Sequence, residues 1–91
     1  MNKKELYFDI LYTPLIGEKI TIIKSKNSLD IGISGIIINE TANFLILDVN
    51  GQIKRILKKN IIFQIKKKQQ ALNIDGSFLF STLQTRLKKV K

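Results

Sequence analysis

The side chains of this sequence that could do chemistry are mostly cationic, and their grouping suits contact with phosphate. Lys54, Arg55, Lys58 and Lys59 fall within six residues, Lys24 and Lys26 stand two apart, and Arg86, Lys88 and Lys89 lie near the end. From Lys54 onward eleven basic residues face a single carboxylate, Asp75. The first 53 residues hold five lysines and six carboxylates, so the net charge of +9 is +10 in the later part and −1 in the earlier. A lysine or arginine that meets a phosphate releases a condensed counterion, so segregated charge of this size points first to a nucleic acid. A well-solvated surface is the competing reading of net charge alone.

Other chemistries lack their tools. There is no His and no Cys, which removes disulfides, the usual zinc sites, thiolate nucleophiles and the side chain best suited to proton transfer near neutral pH. The seven carboxylates, Glu5, Asp9, Glu18, Asp30, Glu40, Asp48 and Asp75, are dispersed singly, without the pairing of an acid/base or metal site. No catalytic residue, metal or cofactor is expected in the chain itself. No apolar run approaches the roughly 20 residues that span a bilayer, and the charged first five residues are followed by no signal-peptide core, so a cytoplasmic protein without membrane contact is expected.

The elements that must hold the cations are mainly β. A chain of 91 residues supports one domain, with a helical segment at 1–14, a β region at 15–80 and a basic helix at 81–91. Isoleucine dominates the apolar set and favours strands. Short β segments separated by polar turns are predicted at 20–24, 31–39, 44–49, 53–57, 61–66 and 72–74. Asn50-Gly51 predicts a two-residue type I′ turn joining the third and fourth. Both alternating sets of 44–49 are apolar, which calls for cover on both faces. Gly32 and Gly35 permit the sharp bends of a barrel corner. A small antiparallel β-barrel of five to six strands, with short N-terminal and C-terminal helices, meets these demands. The N-terminal helix is predicted over 3–12 from the Asn2 cap and the Leu6, Ile10 and Leu11 spacing, with Thr13-Pro14 and Gly17 turning the chain back afterwards. Tyr7, Phe8 and Tyr12 make it apolar over more of its circumference than one core contact needs, so it either docks a partner or closes the core. Ser81 and Gln84 form a capping-box pair ahead of Leu83, Leu87 and Val90, which mark the docked face of the last helix.

Each basic group has two readings. Lys54, Arg55, Lys58 and Lys59 flank the fourth strand, where side chains on one sheet face could track phosphates or form a charged edge that resists aggregation. Lys66, Lys67 and Lys68 form a like-charge run in a hairpin loop, either solvated or in contact with RNA. Arg86, Lys88 and Lys89 lie on the exposed side of the last helix, within reach of phosphates; three apolar stripe positions are too few for a membrane. Lys24, Lys26 and Asn27 occupy a loop that could add phosphate or base-edge contacts. Phe44, Phe63, Phe78 and Phe80 suit core packing better than base stacking.

In order along the chain, Leu15-Ile16-Gly17, Ser25-Lys26-Asn27, Gly32-Ile33-Ser34-Gly35, Glu40-Thr41, Asn43-Phe44-Leu45, Asp75-Gly76 and Arg86 resemble the Sm-like protein subunit of archaeal ribonuclease P, called protein component 1. The resemblance runs from about Leu15 to Lys89. The family's Pro-Lys stands here as Leu57-Lys58, and its Arg-Pro as Thr82-Leu83. The resemblance implies an Sm-like barrel that is not itself catalytic and binds a catalytic RNA, which trims the 5′ leader from precursor tRNA and is expected to need Mg. It also implies pairing with a small zinc-binding protein subunit through the N-terminal helix, giving Leu6, Phe8, Ile10 and Leu11 a use, and support of the RNA's specificity domain. A generic Sm-like or ribosomal RNA-binding scaffold and a protein-interaction adaptor are the alternatives. The expected RNA contacts are Lys24, Lys26, Lys54, Arg55, Lys58, Lys59, Arg86, Lys88 and Lys89.

Overall fold

The computed structural model of the chain describes residues 4, 5, 10, 14–67 and 69–79. Six strands alternate with tight turns: β1 (Lys19–Ser25), β2 (Ser34–Glu40), β3 (Phe44–Val49), β4 (Gln52–Leu57), β5 (Ile61–Lys67) and β6 (Gln70–Asp75). They form one antiparallel sheet in the order β4-β3-β2-β1-β5-β6. All six expected segments contain a strand, the second beginning at Ser34 rather than at Ile31. The β3–β4 hairpin turns at Asn50 (φ 53°) and Gly51 (φ 89°), as a type I′ turn requires. The Asp48 carboxylate accepts the Gly51 N–H at 2.8 Å and fixes the turn.

The expected closed barrel is not what forms. Closure would need the two edge strands, β4 and β6, to pair, but β4 pairs only with β3 and β6 only with β5. The sheet therefore remains open, with β4 and β6 as its edges. It curls over a single core of Ile20, Ile22, Ile37, Leu45, Leu47, Phe63, Ile65, Leu72 and their neighbours on its inner side. Period-2 alternation puts these side chains on one face, and Leu15, Ile10 and Leu79 add to the core from outside the sheet.

Two β-bulges break the alternation, and each redirects a charged side chain. In β1 the register against β5 shifts between Ile22 and Lys24. Ile20 and Ile22 face the core, so uninterrupted alternation would bury Lys24; the extra residue turns it outward beside Ile62. In β2 the shift falls between Ile37 and Asn39. Without it Glu40 would share the outer face with Ile36; with it Glu40 pairs opposite the buried Leu45 and turns inward. Re-aiming a side chain is what an inserted residue in a strand does.

At the N-terminus Lys4, Glu5 and Ile10 are helical, and the rest of the expected helix lies outside the described residues. A turn closed by the Glu18 N–H to the Leu15 carbonyl (3.0 Å) then leads into β1. The expected turn at Asp75-Gly76 is instead a helix start. The Asp75 carboxylate accepts from the Ser77 N–H (3.0 Å) and hydroxyl (2.9 Å), and residues 76–79 are helical. The C-terminal helix expected at 81–91 lies outside the described residues.

Candidate nucleic-acid interface

Three of the expected contact residues converge although they are distant in the chain. The bulge turns Lys24 outward at the end of β1, and the Lys26 N–H donates to the Asn60 carbonyl at 3.0 Å. This bond ties the β1 exit to the 3₁₀ turn Lys58–Asn60 that precedes β5. Lys24, Lys26 and Lys59 thereby line one shallow cleft of about 290 Å³ together with Asn60, Ile62 and Asp75. Three ammonium groups against the single Asp75 carboxylate make this cleft cationic, and a shallow cationic cleft suits a phosphate backbone.

The group at β4 does not form the single face expected of it. Lys54 pairs opposite the buried Leu47 and Arg55 opposite Ile46, so the two point to opposite sides of the sheet. Lys54 is half-buried on the core side. Arg55 is outward and exposed, with its guanidinium 4.6 Å from the centre of the Phe44 ring, a cation–π contact. Phe44 is thus an outer-face residue, while Phe63 is buried as expected and Phe78 is exposed. Two cations on the unpaired edge strand also discourage strand addition by another chain.

Lys58 is a correction. It has no solvent exposure, and its Nζ lies 2.7 Å from Glu40 Oε2, whose side chain is 3% exposed. Burial pushes its ammonium down from the ordinary 10.5 to about 8. A buried, paired ammonium is no contact for RNA. The like-charge run also divides. Lys66 is exposed at the end of β5, Lys67 pairs with Glu18 at 2.5 Å, and Lys68 lies outside the described residues. Arg86, Lys88 and Lys89 lie outside them too.

Of the expected protein-partner residues, Leu6, Phe8 and Leu11 lie outside the described residues. Ile10 is fully buried in the core and offers no free docking surface. Apolar surface appears instead on the outer face of β2–β4, where Ile36, Ile38 and Ile53 are 46%, 43% and 62% exposed. Among the described residues no helix is long and apolar enough to cross a membrane.

Three of the residues that carried the resemblance, Glu40, Asn43 and Gly76, meet at Lys58. Glu40 holds its ammonium, and the Asn43 carbonyl accepts its backbone N–H at 2.8 Å. Thr41 closes the β2–β3 turn, its hydroxyl accepting the Phe44 N–H at 3.0 Å. A Cβ on Gly76 would collide with the Lys58 carbonyl oxygen. Residues 9–89 match the family model described as ribonuclease P/MRP, subunit p29. The chain belongs to the p29 family of ribonuclease P subunits. A p29-family protein of Thermofilum pendens, ribonuclease P protein component 1, is 37% identical over 83 residues, covering 89% of this chain and 88% of that one. The Methanocaldococcus jannaschii protein of the same name is 34% identical over 82 residues, covering 89% and 86%. A solved structure described as Mth11, a homologue of human RNase P protein Rpp29, matches with a TM-score of 0.55 and 31% identity, over 69% of this chain and 83% of that one. As a p29-family member the chain is a protein subunit of the ribonucleoprotein that processes the 5′ end of precursor tRNA.

Proposed function

We propose that this p29-family chain does no chemistry itself and binds the specificity domain of the ribonuclease P RNA, which performs the Mg-dependent cleavage. The observation that carries this reading is the convergence of Lys24, Lys26 and Lys59 on one cationic cleft, built by a bulge and a backbone bond rather than by a run of sequence. Structured RNA is held chiefly through phosphates and shape, which such a cleft can serve without a reactive group. The lack of His and Cys and the dispersed carboxylates agree with a non-catalytic role.

Pairing with a small zinc-binding protein subunit is the second part of the proposal. The apolar outer face of Ile36, Ile38 and Ile53 supports it, because apolar side chains exposed together on one sheet face mark an interaction surface. Leu6, Phe8 and Leu11 are the further residues proposed for this pairing. Reconstitution tests both parts: the recombinant chain, with and without the zinc-binding subunit, is added to the catalytic RNA and precursor tRNA. Faster 5′ cleavage is expected, greatest with both proteins. Unchanged cleavage in every combination would overturn the proposal.

A further inference from the structure

Between the cationic cleft and the apolar half of the outer face lies a neutral polar row that crosses the sheet. Thr21 of β1 stands opposite Ser34 of β2 on one side and Gln64 of β5 on the other, and Gln64 stands opposite Asn73 of β6. The Thr21 and Ser34 hydroxyls are hydrogen-bonded at 2.5 Å, and the Gln64 amide donates to the Asn73 carbonyl oxygen at 3.5 Å. Thr21, Ser34 and Gln64 floor an open cleft of about 500 Å³ that Glu18, Lys19 and Lys66 also line. An adjoining cleft of about 340 Å³ shares Lys19 and Ser34 and runs toward the β3–β4 hairpin. The carboxylates bordering this groove are engaged, Glu18 with Lys67 and Asp48 with the Gly51 N–H, whereas Lys19 and Lys66 have no ion-pair partner among the described residues.

We infer that this row, Thr21, Ser34 and Gln64, contacts ribose 2′-hydroxyls along the minor groove of double-helical RNA, with Lys19 and Lys66 on one side and Lys24 on the other meeting the flanking phosphates. The inference rests on the RNA-binding reading above and deepens it. Hydroxyl and amide groups both donate and accept, as a 2′-hydroxyl does. With strands about 4.8 Å apart, the row from Ser34 to Gln64 spans roughly 10 Å, and Lys19 and Lys24 stand about 16 Å apart along β1. A neutral polar centre with cations on both sides matches a ribose edge between phosphate strands. The wide, shallow minor groove of A-form RNA admits a sheet face. Stacking on single-stranded bases would need an aromatic platform, and the one aromatic ring on β1, β5 or β6, Phe63, is buried in the core.

The test compares an RNA hairpin of about 16 base pairs, the length a compact duplex-binding domain covers, with its 2′-O-methylated counterpart, which keeps the charge and the A-form but caps each hydroxyl. The full chain should bind the unmodified hairpin roughly three- to tenfold more tightly. The combined Thr21→Val, Gln64→Leu variant should bind the two alike with its salt dependence unchanged, since no charge is removed. Ser34→Ala, a smaller change, should lose part of the preference. Lys19→Gln with Lys66→Gln should lower the salt slope by about 0.9 per lysine and keep the preference. Equal binding of the two hairpins by the unsubstituted chain, or a preference that survives in Thr21→Val, Gln64→Leu, would overturn this inference alone. Failure to bind either hairpin would overturn the RNA-binding reading with it.

Discussion

Lys58 Nζ lies 2.7 Å from Glu40 Oε2, with both side chains almost wholly removed from water. The pair joins the turn after β4 to the end of β2, and the β2 bulge is what brings the carboxylate inward. Removing one partner strands a buried charge, which costs about 3–5 kcal/mol, whereas replacing both with apolar groups of similar size is close to neutral or stabilising. Glu40→Leu and Lys58→Met should each lower the urea midpoint sharply, and the double variant should recover most of the loss. Additive losses in the double variant would mean that the two side chains act separately.

The same pair gives stability a pH dependence. Burial lowers the folded-state value of Lys58 from 10.5 to about 8, and the Glu40 carboxylate beside it opposes that displacement. Below about 8 Lys58 is charged in both states and the folded chain bears the desolvation cost. Between about 8 and 10.5 the folded chain has released a proton that the unfolded chain still binds, so stability rises with pH, by at most about 1.4 kcal/mol per unit. Measured against the Glu40→Leu, Lys58→Met double variant, wild-type unfolding free energy should climb through that window. A flat difference would mean that Glu40 keeps the proton on Lys58 throughout.

Gly76 is tested by size rather than by charge. A Cβ there meets the Lys58 carbonyl oxygen, a backbone atom that no rotamer change can move, whereas nothing lies within 4 Å of a Cβ at Gly51, whose constraint is its φ of +89°. Overpacking costs about 1–3 kcal/mol, so Gly76→Ala should lower Tm by several degrees, and Gly76→Asn by more. At Gly51 the order should reverse, Asn being tolerated better than Ala because it accepts the left-handed conformation. Calorimetry of the four variants reads this directly; the same order at both positions would remove the distinction.

Much of this fold was legible in the sequence because alternating isoleucines and the Asn50-Gly51 turn are local signals. The open sheet was not, since whether the edge strands β4 and β6 meet depends on the curl of all six strands and not on any local signal. The site was legible in kind and less so in detail. Lys54 and Arg55 are adjacent in sequence and therefore on opposite faces of a strand. Lys58 has the composition of a contact and the burial of a keystone. Both bulges escape a period-2 reading, and they decide that Lys24 faces out and Glu40 faces in. The Thr21, Ser34 and Gln64 row carries no charge or motif to announce it, and only the strand register assembles it.

Placement also predicts which lysines govern the salt dependence of RNA binding. Lys24, Lys26 and Lys59 line the cationic cleft, so each should release about one counterion on meeting a phosphate, and each change to Gln should reduce the log–log salt slope by about 0.7 to 0.9. The triple variant should lose about two to three from that slope. Lys58→Gln removes the same formal charge one residue from Lys59, yet its ammonium is sealed against Glu40. It should lower stability and leave the slope unchanged wherever the variant is folded. Titrating the ribonuclease P RNA with each variant between low and moderate salt separates the two roles. A Lys58→Gln slope reduced as much as that of Lys59→Gln would show that Lys58 leaves its buried partner on binding, and an unchanged slope in the triple variant would remove the cleft as a phosphate site.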